Sequence, residues 1–226
     1  MKKESESEVV YEATALPVDS EAASAVRSYI DWLNTHGDQG GELGVSTMDM
    51  RGANLSGMPM AYLHFIQTDL SECVFDGCDF SKSELSAAVL NNSRFVGSNF
   101  RKADLSECEA RGADFTRASF VGAKFYRSEI VGSCFREAYL NAAWMHETDL
   151  RESDLSGVWF GPGEASGTTV FKEAKILGCT VTGAGGWVRG TVDVGTEREP
   201  RVIGGPGLAE WFQDNGAPDV RIADVA

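Results

Sequence analysis

The side chains that could act as nucleophile, base or metal ligand are few and scattered. The three histidines are His36, His64 and His146. If the chain coils with 20 residues per turn, His64 and His146 share a side but sit four turns apart, roughly 19 Å at strand spacing. That is too far to share a metal or a proton. The five cysteines, Cys73, Cys78, Cys108, Cys134 and Cys179, contain no CxxC pair. They read as small buried residues rather than as a metal or redox site. The glycine runs at 183–186 and 204–207 match no phosphate or cofactor fingerprint and read as turns. No catalytic residue, metal or cofactor is therefore expected, and an enzyme would need a site within residues 161–226.

Two groups of residues offer binding chemistry instead. Asp69, Glu109, Glu129 and Asp149 fall at multiples of 20, with Glu72 and Glu152 beside them and Arg111 and Arg151 interposed. Like charges stacked roughly 4.8 Å apart repel unless they are paired or face a cationic surface. The column is either a solvated face with local arginine pairing or a docking stripe. The second group is aromatic. Tyr139 precedes Trp159 by 20 residues, Trp144 lies on the adjoining side, and Trp211 and Phe212 follow near the C-terminus. Aromatic side chains left at a surface call for a cover. The cover is either the chain's own C-terminal segment or a second copy.

These columns exist only if a regular element sets them, and the sequence contains one. Every fifth residue from Leu55 to Phe160 is large and apolar, with Ala110 as the exception. Two residues before each, from Thr68 to Ser153, stands Ala, Ser, Cys or Thr without exception. A period of five fits neither the 3.6 of a helix nor the 2 of a strand, so a repeat architecture is required. Four repeats make a turn of 20 residues, with one large and one small side chain per repeat directed inward and successive turns stacked at strand spacing. Met58, Pro59 and Leu63 break the small-residue rule, which predicts an irregular first turn.

Ala53-Asn54-Leu55-Ser56-Gly57, Ala103-Asp104-Leu105-Ser106-Glu107 and Ala113-Asp114-Phe115-Thr116-Arg117 carry this pattern. It resembles the pentapeptide repeat family, whose motif is loosely Ala-(Asp/Asn)-Leu-X-X. The resemblance implies an all-β fold, a right-handed quadrilateral β-helix, and a non-catalytic role in protein–protein binding. Some members resemble duplex DNA in size and charge, bind DNA gyrase or topoisomerase IV, and protect bacteria from gyrase-targeting antibiotics. An accessory or scaffold protein of a biosynthetic or signalling pathway is the alternative.

The rest of the chain is read around the coil. Residues 1–18 are charged and Ser/Glu-rich and are expected to be a disordered arm. Residues 19–47 hold a capping helix, begun by Asp19 and Ser20 and ending near Asn34, and a linker. The coil spans 48–160. Residues 161–226 contain a degenerate last turn shifted by one residue (Phe171, Ile176 and Val181), a strand from Trp187, a loop over 195–206, a short helix at Leu208–Phe212 and an irregular tail. A homodimer through residues 160–226 would cover the open end of the coil. Half of the net charge of −14 lies before residue 50, leaving the coil with 11 basic and 15 acidic residues. A face that binds nucleic acid directly must be basic, so that role is not expected. No apolar run reaches the roughly 20 residues of a membrane span, and the charged N-terminus lacks the apolar core of a secretory signal, so a cytoplasmic protein is expected.

Overall fold

The computed structural model describes residues 9–163 and 167–223. From residue 49 to residue 159 the backbone pairs with itself at a constant offset of 20. Four columns of parallel bridges run through Asp49↔Asp69, Asn54↔Val74, Pro59↔Asp79 and His64↔Glu84, and each repeats turn after turn. Hydrogen bonds close each rung from both sides, as in Phe95 N–H to Asp114 C=O at 2.8 Å and Asp114 N–H to Ser93 C=O at 2.9 Å. The register is set by what it buries: the large fifth-position residues from Leu55 to Phe160 are all withdrawn from solvent. Phe95 stacks on Phe75 and Phe115 at 5.3 Å, while Phe100 stacks on Phe80 and Phe120 at 5.0 and 4.9 Å. The two stacks meet edge to face, as between Phe95 and Phe100, an arrangement that aligns ring edges with ring faces.

The small inward position has a second job. Ser83, Ser98, Ser128 and Ser153 each donate a hydroxyl hydrogen bond, at 2.6–2.8 Å, to the carbonyl 23 residues earlier. Cys73 and Cys78 do the same with their thiols at 3.0 Å. A buried hydroxyl or thiol must find an acceptor, and the preceding turn supplies it. The residue before each large one faces outward and often carries Asp or Asn. Asp104, Asp114 and Asp154 each accept from the backbone N–H two residues on, at 3.0 Å. Each corner then places its next residue in the left-handed region, whether Gly, as at Gly97 and Gly122, or not, as at Glu107 and Arg117.

The first turn is regular, contrary to expectation: Pro59 joins the bridge column and Met58 is buried in the small position. The rung to Asp79 runs through Met60 N–H and the Met58 carbonyl, so it does not need an N–H from Pro59. Helix α1 (Ser20–Asn34) begins at Asp19, whose carboxylate accepts from Ala22 N–H. Its Ala22, Val26 and Tyr29 join the same apolar cluster as Met50, Leu55 and Met60, and the Tyr29 hydroxyl donates to the Pro59 carbonyl. The expected disordered arm needs correction where it is described. Thr14 N–H bonds to Asn54 C=O at 3.0 Å, and Ala15 forms an antiparallel bridge with Asn54, because the first turn leaves those backbone groups unpaired. Residues 1–8 lie outside the described residues.

After Phe160 the offset becomes 26, in Asp149↔Lys175, Asp154↔Thr180 and Trp159↔Gly185. The offset has grown by six residues, which accounts for the shift in period. Phe171, Ile176 and Val181 are buried, and Cys179 donates to the Leu150 carbonyl, now 29 residues back. Strand β1 (Trp144–His146) pairs in parallel with β2 (Thr169–Lys175), and β2 with β3 (Gly185–Asp193). Beyond them come β4 (Val202–Gly204), α2 (Gly205–Asp214) and β5 (Asp219–Ile222). The expected loop and irregular tail are thus partly strand: β4 pairs antiparallel with one half of β3 and β5 parallel with the other. Both runs are too short to show alternation, and the pairing partner supplies what local sequence lacks.

Candidate interaction surface

With its inward positions consumed by packing, the coil can act only through its outward residues. Asp69, Val89, Glu109, Glu129 and Asp149 are successive bridge partners up one side, so an apolar rung separates Asp69 from the other carboxylates. The column is largely neutralised. Arg51 pairs with Asp49 at 2.6 Å and reaches Asp69 at 3.5 Å, and Arg111 pairs with Glu129. Arg151 is shared between Asp149 at 2.6 Å and Glu197 at 3.0 Å. Burial raises the pKa of Asp149, but the hydrogen bonds and charge of Arg151 outweigh it, and the carboxyl is held below its usual range. Asp69 and Asp149 also accept the corner N–H groups of Ser71 and Arg151. Glu72 and Glu152 sit apart, at left-handed corner positions, and Glu109 makes no ion pair among the described residues. The column is therefore mainly a paired, solvated face in which Glu109 is the free carboxylate.

The aromatic group divides. Tyr139 and Trp159 form consecutive rungs of one column and remain 52% and 41% exposed, while Trp144 on the adjoining side is 47% exposed. Phe212 is not at the surface: it is buried, with its ring 5.9 Å from Phe160. Trp211 is half-buried beside it. Helix α2 thus fills the end of the coil, with Leu208 also buried, and leaves Tyr139 and Trp144 uncovered. The sequence places His146 on the side of His64 but does not single out Tyr126 and Lys124 beside it. The signal was present, because Lys124 precedes Trp144 by 20 residues and Tyr126 precedes His146 by the same step.

The cysteines take structural places. Cys73, Cys78, Cys108 and Cys179 are buried, and desolvation pushes each thiol up to about 12. Cys134 is half-buried, with its sulfur 3.2 Å from the Thr116 hydroxyl. Among the described residues no group of His, Cys, Asp and Glu could hold a metal ion, and no helix is long and apolar enough to cross a membrane.

The five-residue register, its buried large and small positions and the Asp or Asn before each large residue coincide with one family model, described as a pentapeptide repeat region, over residues 64–144. Those residues are a pentapeptide repeat region. The pentapeptide repeat coil extends beyond the matched span in both directions, as its bridges do. Solved structures similar to it include HetL, a pentapeptide repeat protein involved in heterocyst differentiation regulation from the cyanobacterium Nostoc. It is 17% identical over 65% of this chain and 74% of that one, with a TM-score of 0.36. QnrB1, a plasmid-mediated fluoroquinolone resistance protein, is 22% identical over 61% and 71%, with a TM-score of 0.39. A pentapeptide repeat protein from the Arabidopsis thaliana thylakoid lumen is 21% identical over 45% and 68%, with a TM-score of 0.37. Among curated protein sequences there is no significant match.

Proposed function

We propose that this chain is a non-catalytic protein-binding module that works from the outside of its coil. One observation carries the reading. Tyr139, Trp144 and Trp159 stay exposed although the chain's own C-terminal segment closes over the neighbouring Phe160. Large aromatic side chains bury much area at low entropic cost, which is why they concentrate at interfaces. The same reading takes the coil as right-handed and four-sided, α1 as the lid on its first turn, and the protein as cytoplasmic. The partner class it names, from the family resemblance, is DNA gyrase or topoisomerase IV, with protection from a gyrase-targeting antibiotic as the outcome. A homodimer through residues 160–226 belongs to it as well. With Phe212 buried, the surface left for that contact is Trp211, the exposed Val202 and the edge of β5.

A supercoiling assay with and without a quinolone tests the partner. The protein should inhibit gyrase or rescue it from the drug, and Tyr139→Ala with Trp159→Ala should abolish the effect, with Glu109→Lys weakening it. No effect at tens of micromolar protein would discard gyrase and leave the accessory or scaffold role.

A further inference from the structure

On the side of the coil that starts at His64, the residues Lys124, Tyr126, Trp144 and His146 line a recess of about 240 Å³. Two successive turns build it. Lys124 and Trp144 are bridge partners, and Tyr126 and His146 stand two residues further along the same two turns. Trp144 and Tyr126 are 47% and 38% exposed, and the His146 ring lies 5.4 Å from the indole of Trp144. Three rings therefore face one opening. The lining includes one ammonium, that of Lys124, and no carboxylate, on a chain whose net charge is −14. Lys124 is 3.2 Å from Asp104, and its side chain is still 63% exposed. Burial, and then the charge of Lys172, hold His146 below the usual histidine range, so it is neutral at pH 7.

Rings around an opening can cage an organic cation. Here the charges argue the other way. The Arg127 guanidinium already lies 4.7 Å from the Tyr126 ring centroid, where Glu147 holds it at 2.8 Å. Arg127 is paired with Glu147 and stands outside the lining, so the charge that meets a guest is that of Lys124, shared with Asp104 at 3.2 Å and still open to solvent. With no carboxylate on the lining itself, that ammonium favours an anion over a cation. The volume is below the roughly 300–1,000 Å³ of sites for drug-sized molecules, which limits the guest to one or two fused rings. We propose that this recess binds a small planar aromatic carboxylate, with its ring against Trp144 and Tyr126 and its carboxylate on the Lys124 ammonium. The recess shares Trp144 with the aromatic surface of the proposed function, but it needs only one face of one chain, so its ligand is tested without a protein partner.

The test titrates the full chain with 2-naphthoate, 2-naphthamide and 2-naphthylmethylammonium, followed by tryptophan fluorescence and calorimetry. The expected result is saturable binding of one naphthoate per chain, about fivefold or more tighter than either analogue. Trp144→Ala and Lys124→Met should each weaken naphthoate binding about fivefold or more. Both residues are exposed, so the melting transition should not move, and Arg101→Met, which also removes one exposed cation from the coil, serves as the control. The proposal is overturned if the ammonium or the amide binds as well as the carboxylate. It is equally overturned if naphthoate does not saturate below millimolar concentration, or if Trp144→Ala binds it unchanged.

Discussion

The hydroxyl of Ser128 and the thiol of Cys73 show what each inward position demands: small volume and, where a polar hydrogen is present, an acceptor on the previous turn. That demand makes the buried cysteines chemically quiet. With their thiols pushed up to about 12, almost no thiolate exists near pH 8. In the native protein a thiol reagent at pH 8 should therefore label Cys134 alone, and all five should react in denaturant. Rapid labelling of Cys73 or Cys108 without denaturant would contradict the register. The corner residue gives a second test. Arg117 is exposed and sits at φ 58°, a conformation that costs a side-chain-bearing residue about 1–2 kcal/mol. Arg117→Gly removes that strain but adds chain entropy to the unfolded state. The expected net gain is about 0.5–1 kcal/mol by chemical denaturation.

Within the coil, stability comes from stacks rather than from any one rung. Phe115 packs against Phe95, Phe100, Phe120 and Phe135 with no solvent exposure. Phe115→Ala should cost about 3–5 kcal/mol, because neighbours fixed by their own ladders cannot collapse into the space. Helix α1 offers a different lever. Tyr29 is buried, its hydroxyl bonds to the Pro59 carbonyl, and its pKa is pushed up to about 12, chiefly by desolvation. Tyr29→Phe leaves that carbonyl without its donor, and a loss of about 1–3 kcal/mol is expected. A change below a few tenths of a kcal/mol would mean that α1 does not rest on the first turn in solution.

For the molecule as a whole, the ion pairs within and between turns predict its response to acid. Asp49 and Glu147 are lowered by hydrogen bonds from Arg51 and Arg127. Burial raises Asp104 and Asp154, but hydrogen bonds from Ser106 and Lys124, and from Ser156 and Arg136, leave both below their usual range. A carboxyl whose pKa is lower folded than unfolded stabilises the fold above its unfolded value, near 4, and that contribution is lost as pH falls through the folded value. The melting temperature should be level from pH 7 to about 5 and fall between about 4 and 2. Added salt should have little effect on the buried stacks and a modest effect on the exposed pairs. Light scattering at micromolar concentration addresses assembly: a mass near 24.4 kDa would sink the dimer.

The sequence by itself determined the coil. A five-residue period with a large and a small inward residue admits one stacking register, since a slip by one residue would turn Phe95, Phe115 and Phe135 out to water and bury Arg94 and Asp114. It also located α1, whose capping aspartate and apolar spacing are local signals. Only the tertiary structure decided the surfaces. Whether Asp149 is a free charge depends on Arg151 and on Glu197, a residue in a segment with no period. Whether Phe212 is an interface residue depends on where α2 comes to rest, and it rests on Phe160. The recess at Trp144 needs side chains from two turns to be placed together. Inward positions repeat the same contacts at every turn, so the spacing of large and small residues alone specifies them. Outward positions differ from turn to turn, and their chemistry depends on which long side chains reach one another.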